Sequence, residues 1–246
     1  MWTLFAVARL VMMLPVLLLG IFLSLFVPLM PRPVYRFVAA TWYGTMLALM
    51  GVRGRYQGTV ADGTVLMVSN HVSWADILVI GARWPYTFLA MHEISRWPVV
   101  GWLARRIGTL FIRRGKGAPD AIRQVTDVLR AGRPVIFFPE GRTSFGTGVG
   151  RFHPRIFQAA VDARVPVQPV ALYYRDRLAE PGAGTRATFA DDAGFVASLW
   201  RTMAGPPVDV HVIAFETVGP LEDREALARQ ACELVRGHPG FTADSH

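Results

Sequence analysis

One histidine and one aspartate are spaced for acid–base chemistry just after a predicted strand. His71 and Asp76 lie in segment 70–76 (NHVSWAD), which follows the apolar run Val65–Ser69. Where a strand turns into a helix, a carboxylate five positions after a histidine can fold back onto the imidazole and orient it as a general base. A histidine that caps the helix, with a solvated first-turn aspartate, would give the same spacing. The spacing by itself leaves both interpretations open.

A second polar turn follows another predicted buried strand. In segment 137–144 (FFPEGRTS), apolar residues give way abruptly to Pro, Glu, Gly and hydroxyl side chains. Backbone amides at such a turn, together with Arg142 and the hydroxyl groups of Thr143 and Ser144, could cradle a phosphate. An ordinary turn at the end of a strand is the alternative.

Two further segments carry weaker signals. Segment 108–115 (GTLFIRRG) is a short predicted strand that ends in Arg113 and Arg114, one of which could hold a phosphate. Segment 165–172 (VPVQPVAL) contains Pro166 and Pro169, which cannot donate backbone hydrogen bonds. These prolines predict an edge strand or a wall, most simply one side of an apolar pocket.

Strands and helices alternate along the chain, and these elements position the four segments. Apolar runs predict strands at 65–69, 87–90, 110–113, 134–138, 165–172 and 208–215. Helical spacing or helix-end signals fall between and after them, most clearly at 119–132 and 225–237. This alternation predicts one α/β domain, residues 56–237, with a mostly covered sheet. Residues 238–246 are predicted to be a disordered tail.

The first 55 residues are predicted to be a helical membrane-anchoring segment. Leu10–Met30 contains no charged residue and is long enough to cross a bilayer. Pro15 and Pro28 would kink this stretch or mark its ends, and a second uncharged stretch, Phe37–Val52, suits the membrane interface. The sequence leaves open whether the segment spans the membrane or dips into it.

The charge distribution favours anionic lipid as a partner. The net charge is +8. The first 61 residues contain five arginines and no acidic residue, and residues 83–155 contain 13 basic and 4 acidic residues. Such blocks attract nucleic acid, lipid headgroups or phosphorylated substrates. The apolar N-terminus and the lack of repeated basic–aromatic interleaving predict lipid and phosphate, with no nucleic-acid partner.

Several other kinds of site are unsupported by the sequence. No G-x-S-x-G segment provides the nucleophile elbow of a serine hydrolase. Cys232 is the single cysteine, which excludes an internal disulfide and a cysteine-based metal cluster. The spacings of His92 and His153 match no metal-ligand motif, so no metal site is predicted.

Together, the four segments resemble the glycerolipid acyltransferase family, which includes 1-acylglycerol-3-phosphate acyltransferases. The family blocks N-H-x-x-x-x-D, G-x-x-F-x-x-R, F-P-E-G and V-P-[IV]-x-P-V occur here in that order between residues 70 and 172. The resemblance implies an acyltransferase-type domain with a mixed sheet. It also implies a membrane-bound enzyme that moves a fatty acyl group from acyl-CoA or acyl carrier protein (acyl-ACP) to the free hydroxyl of a lysolipid.

The resemblance also assigns roles to the first two blocks. His71 would deprotonate the acceptor hydroxyl and Asp76 would be its partner. Phe111 and Arg114 match the second block, where the arginine binds the phosphate of the acceptor. No metal or redox cofactor is expected, because thioester transfer to a hydroxyl needs a base and an oxyanion site.

The third and fourth blocks are implied to bind the two substrates. Glu140 and Gly141 would help to bind the acceptor, and Pro166 matches the block associated with the acyl donor. Many phosphatidate-making members have E-G-T-R-S here, whereas this chain has Arg142 followed by Thr143. Exchanging the two residues redirects the guanidinium, which bears on acceptor choice.

The main expectation is acylation of 1-acylglycerol-3-phosphate to phosphatidic acid at the cytoplasmic side of a bacterial inner membrane. The first alternative is acylation of lyso-ornithine lipid or another lysolipid. The second alternative is a membrane-anchored lipid-binding protein that lacks catalysis.

Overall fold

The computed structural model describes residues 2–113, 118–176, 178, 185–190 and 194–242. Helices α1 to α9 span Trp2–Ser24, Arg32–Met50, Ala75–Arg83, Val100–Arg106, Ala118–Arg130, Gln158–Ala163, Gly194–Met203, Arg224–Arg236 and Pro239–Thr242. Strands β1 to β7 span Val52–Gln57, Leu66–Ser69, Thr87–Met91, Leu110–Ile112, Val135–Phe137, Val167–Arg175 and Val208–Ala214. Short 3-10 helices occupy Val27–Leu29, His92–Arg96 and Pro154–Phe157.

The strands form one mixed sheet in the order β1-β7-β6-β2-β5-β3-β4. Five neighbouring strands, β6, β2, β5, β3 and β4, are parallel, whereas β7 is antiparallel to β6 and β1 is parallel to β7. The carboxyl ends of the five parallel strands therefore lie along one side of the sheet, here called the carboxyl edge. In sheets of this kind, ligands bind outside the carboxyl ends of the strands.

Both faces of the sheet are covered, as the sequence predicted. Side chains alternate between faces along each strand. In β2, Leu66 and Val68 belong to the core beneath α5, α6 and α8, while Met67 belongs to the core beneath α2 and α3. All three side chains are fully buried. The prediction of an α/β domain with a mostly covered mixed sheet is confirmed.

Helix α1 is apolar and long enough to cross a membrane, judged by its length and composition. It begins at Trp2, before the start of the predicted stretch Leu10–Met30, and it ends at Ser24, before the end of that stretch. Arg9 lies inside the helix, and its guanidinium donates a hydrogen bond to the carbonyl of Met203 at 3.0 Å. Pro15 also lies inside the helix, whereas Pro28 lies in the 3-10 turn that leads to α2. The apolar helix is therefore displaced towards the N-terminus from the predicted stretch.

The structure differs from two sequence-based boundaries. The predicted domain start at residue 56 falls inside β1, which pairs with β7 from Val52 opposite Val208 to Gln57 opposite Ile213. Part of the predicted 238–246 tail forms α9, whose Phe241 ring lies 5.9 Å from the ring of Tyr173. Residues 243–246 lie outside the described residues.

From the prolines of segment 165–172 the sequence predicted an edge strand. This prediction is wrong, because β6 lies between β7 and β2 inside the sheet. In an antiparallel pair, opposed residues exchange both N–H···O bonds. Pro169 accepts from the amide of Phe215 at 3.0 Å but cannot return a donor. The side-chain amide of Gln168 donates to the carbonyl of Phe215 instead. A neighbouring side chain thus replaces the missing backbone donor and makes the proline tolerable inside the sheet.

Candidate active site

His71 and Asp76 meet at the carboxyl edge, just beyond β2. Nδ1 of His71 lies 2.8 Å from Oδ2 of Asp76, which also accepts the backbone N–H groups of Val72 and Ser73 at 2.7 and 3.0 Å. The Asp76 side chain is fully buried, whereas that of His71 is 19% exposed. An ionised carboxylate in this position orients the imidazole with Nδ1 as the donor and leaves Nε2 as the proton acceptor.

Asn70 fixes where the turn leaves the sheet. It is fully buried, and its side-chain amide donates to the carbonyl of Leu172 at 2.9 Å. Its side-chain oxygen accepts from the N–H of Leu172 at 2.7 Å. Ser69, the last residue of β2, pairs with Val170 of β6. The two bonds between Asn70 and Leu172 extend this contact between the strands beyond the end of β2. The chain then turns into α3, whose first turn carries Asp76.

The turn after β5 packs directly against His71. The ring of Phe138 is stacked on the imidazole, with centroids 4.1 Å apart and planes 12° from parallel. The backbone N–H and the hydroxyl of Ser144 donate to the carbonyl of His71 at 2.8 and 3.1 Å. Two chain segments that are about 70 residues apart in sequence therefore position one imidazole.

Glu140 also helps to position His71, by accepting a hydrogen bond from the backbone of His71. Oε1 accepts from the N–H of His71 at 3.0 Å, and Oε2 accepts from the N–H of Gly150 at 3.1 Å. Burial raises the pKa of Glu140 above its ordinary value, and the two backbone donors act in the opposite direction. The sequence predicted that Glu140 helps to bind the acceptor; the structure adds a positioning contact to His71.

The neighbouring turn residues differ in exposure. Gly141 has a φ of 71°, in the left-handed region that glycine adopts without strain. Arg142 is exposed, and within the described part of the chain it has no hydrogen bond or ion pair. The Thr143 hydroxyl donates to the carbonyl of Phe189 at 3.0 Å. Of the exchanged pair, Arg142 is thus the member whose side chain is available at the surface.

The remaining predicted residues do not all reach the His71–Asp76 pair, which is called the dyad below. Phe111 lies in β4 at the carboxyl edge and is half-buried, while Arg114 lies outside the described residues. Pro166 precedes β6, and its carbonyl accepts from Leu66 at 3.0 Å, at the opposite end of β2. At 3.3 Å per residue, the length of β2 separates Pro166 from the dyad by at least about 10 Å. The structure does not bring Pro166 to the predicted base.

Sequence reasoning gave no role to Tyr174, which touches the dyad. Its buried hydroxyl donates to Oδ1 of Asp76, the oxygen that does not face His71. Tyr174 is almost 100 residues from Asp76 in the chain. Nothing in the spacing of the motifs connects the two residues, because only the pairing of β6 with β2 brings them together.

We expect Glu140→Gln to lower stability, because one backbone donor would then face an amide N–H₂ group. A buried donor left unsatisfied costs about 1–3 kcal/mol. The pKa of Glu140 is raised in the folded state, so its contribution to stability is full below its ordinary value and declines as pH rises through the raised value. The difference in thermal midpoint between the two proteins should therefore narrow from pH 4.5 to pH 7. A pH-independent difference would contradict this origin. Asp127→Asn, at an exposed position on α5, is the control.

Comparisons with known proteins agree with this geometry. The model of the Acyltransferase family matches residues 52–173, which contain both members of the dyad. The chain is 41% identical over 198 residues to a lyso-ornithine lipid O-acyltransferase of Pseudomonas aeruginosa, covering 79% of this chain and 75% of that protein. It is 35% identical over 219 residues to a 1-acyl-sn-glycerol-3-phosphate acyltransferase of Neisseria gonorrhoeae, covering 87% of this chain and 85% of that protein.

The fold is also shared with a solved structure. The crystal structure of the 1-acyl-sn-glycerophosphate acyltransferase of Thermotoga maritima superposes with a TM-score of 0.74. The match covers 100% of this chain and 95% of that chain at 21% sequence identity. The likeness includes the N-terminal helices as well as the sheet, since the whole chain is covered.

Proposed function

The chain belongs to the acyltransferase family, and from that premise we propose that it acylates the free hydroxyl of 1-acylglycerol-3-phosphate to give phosphatidic acid. The observation that carries the chemistry is the His71–Asp76 pair. Its buried carboxylate takes one ring nitrogen and leaves the other as a base.

In the proposed reaction, Nε2 of His71 takes the proton of the acceptor hydroxyl as its oxygen attacks the thioester carbonyl carbon. The new C–O ester bond forms and the C–S bond breaks. The departing thiolate receives the proton from His71, so the imidazole returns to its neutral state and the thiol leaves. Asp76 stabilises the transient imidazolium without taking the proton, because its carboxylate is already engaged by two backbone donors.

Exposed arginines at the carboxyl edge support an acceptor with a phosphate. Arg113 follows β4 and Arg142 follows β5, and both side chains are exposed. Guanidinium groups bind phosphate through paired, charge-assisted hydrogen bonds. Arg114, which the family resemblance assigns to phosphate binding, is adjacent in sequence to Arg113.

One observation favours lyso-ornithine lipid as a second candidate acceptor. Thr143 occupies the position where many phosphatidate-making members carry arginine, and its hydroxyl is directed to the carbonyl of Phe189. That position therefore offers no positive charge. The similarity to the Pseudomonas aeruginosa lyso-ornithine lipid acyltransferase supports the same alternative.

We propose acyl-CoA or acyl-ACP as the donor, with the catalytic domain on the cytoplasmic side of a bacterial inner membrane. Both donors are water-soluble thioesters, whereas the lysolipid lies in the membrane. The apolar helix α1 would hold the carboxyl edge at the interface where the two substrates meet. The proposed transfer uses no metal or redox cofactor.

The acceptor can be tested with membranes from cells that express the protein. Radiolabelled acyl-CoA, and in parallel labelled acyl-ACP, is offered with lysophosphatidate or lyso-ornithine lipid. Labelled phosphatidate that depends on His71 supports the proposal. Labelled ornithine lipid alone would overturn the acceptor and retain the mechanism. No product from either acceptor with either donor would contradict the proposed function and favour the lipid-binding alternative.

Membrane attachment can be tested on one face of α1. Leu14, Leu18 and Phe22 follow one another at four-residue spacing and are each more than half exposed. Replacing Leu14 and Leu18, the two members nearest the centre of α1, with aspartate should release protein into the soluble fraction, because an acidic side chain at the centre of a membrane helix costs about 3 kcal/mol. Leu234→Asp, at a 40% exposed position on α8, is the control. Equal retention of all forms in the membrane pellet would contradict attachment through this face.

A further inference from the structure

We infer that Tyr174 is a positioning residue for acyl transfer, because its buried hydroxyl fixes the Asp76 carboxylate that orients His71. The inference rests on the proposed role of His71 as the base. It goes beyond the family motifs, since Tyr174 lies outside all four of them.

The two carboxylate oxygens of Asp76 accept different numbers of hydrogen bonds. Oδ2 accepts from His71 and from the backbone of Val72 and Ser73. Oδ1 accepts from Tyr174, which among the described residues is its hydrogen-bond donor. Without this hydroxyl, a fully buried carboxylate oxygen would have no donor, and rotation of the carboxylate would no longer be opposed from that side. The angle at which Asp76 meets the imidazole therefore depends on Tyr174.

Strand β6 holds the tyrosine in register with the dyad. Asn70 binds both backbone groups of Leu172, two residues before Tyr174 on the same face of the strand. On the other side of β6, Tyr174 pairs with Val210 of β7. Asn70, which precedes His71, therefore fixes the position of β6, the strand that carries Tyr174. His71, Asp76 and Tyr174 are thus held by one connected set of hydrogen bonds.

The tyrosine remains a donor across the working pH range. Burial and the neighbouring Asp76 carboxylate raise the pKa of Tyr174 well above its ordinary value of 10. The phenol is therefore neutral when the carboxylate is charged, and the proton stays on the tyrosine oxygen. The O–H group therefore continues to donate to Oδ1 of Asp76.

The adjacent Tyr173 provides a matched control. It lies on the opposite face of β6, where its ring contacts those of His211 and Phe241 at 6.1 and 5.9 Å. Tyr173→Phe and Tyr174→Phe remove the same atom from neighbouring positions in one strand. Only the second removes a hydrogen bond to the dyad, so a difference between the two variants isolates that bond.

The test compares kcat, KM and the thermal midpoint of the unsubstituted protein and both variants in detergent, with His71→Ala in parallel. We expect Tyr174→Phe to lower kcat by about 10- to 100-fold, the range that corresponds to a hydrogen bond to a charged group, with little change in KM.

The outcomes separate the inference from the proposed function. Tyr174→Phe with unchanged kcat would overturn the inference. A fall in kcat that is matched by an equal loss of folded protein, measured by thermal unfolding up to the assay temperature, would show a structural role only and would also overturn it. Full activity of His71→Ala would instead overturn the proposed base. Tyr173→Phe should match the unsubstituted protein throughout.

Discussion

His71→Ala is expected to lower the kcat of acyl transfer by about 10²- to 10⁴-fold, the usual contribution of a positioned general base. The imidazole is partly exposed at the carboxyl edge, and its Nδ1 is engaged by Asp76, so Nε2 is the atom that can meet an acceptor hydroxyl. Alanine removes this proton acceptor while leaving the backbone bonds from Glu140 and Ser144 possible, because both go to main-chain atoms of residue 71. The variant should therefore fold.

The measurement is transfer of labelled acyl groups by equal amounts of membrane-bound protein, followed by sedimentation of the membranes. His153→Ala is a suitable control, because that side chain is exposed and outside the dyad. It should retain activity, and both variants should remain in the membrane pellet. Loss of transfer with intact membrane binding would also exclude a lipid-binding protein without catalysis. Undiminished transfer by His71→Ala would refute the assignment of the base.

Asp76→Asn is expected to lower kcat by up to about 10⁴-fold, as for the orienting aspartate of a serine-protease triad. Oδ2 accepts three hydrogen bonds, and Oδ1 accepts one from Tyr174. An amide N–H₂ group in either place would face a donor. If it replaced Oδ2, the imidazole would have to present its other tautomer, with the proton on the nitrogen that should act as the base.

The same substitution should lower stability by about 1–3 kcal/mol, because at least one buried donor loses its acceptor. Activity is measured as for His71, and stability by thermal unfolding in detergent. Asp127→Asn makes the same chemical change at an exposed position of α5 and should alter neither quantity. Asp76→Asn with normal kcat would show that the carboxylate charge is not needed to orient the imidazole.

Local patterns in the sequence were sufficient to predict the class of fold and the dyad. Apolar runs predicted strands that the structure contains at β2, β3, β5 and β7. The clearest of them is β5, which is apolar throughout because both of its faces are covered. The five-residue interval between His71 and Asp76 spans one turn at the start of α3. Both members of the dyad therefore lie within a single short segment, and family blocks in a fixed order predicted its chemistry.

The errors in the sequence-based prediction arose where a contact across the fold compensates for a local rule. Pro169 predicted an edge strand, but Gln168 donates to the carbonyl of Phe215 in place of the proline. The predicted apolar stretch began after Arg9, but α1 includes this residue, whose guanidinium donates to the carbonyl of Met203. Neither partner can be recognised from composition or periodicity, since each contact depends on how elements pack.

The sequence by itself determined the class of this protein, an α/β acyltransferase domain preceded by an apolar helix, and it predicted the pair of residues proposed to handle the proton. Only the tertiary structure decided what holds that chemistry in place. Glu140, Phe138 and Tyr174 reach the dyad from two other strands, and Pro166 does not reach it at all. The physical reason is that a hydrogen bond across a sheet depends on strand order and register, which arise from the packing of both faces and leave no periodic trace in the chain.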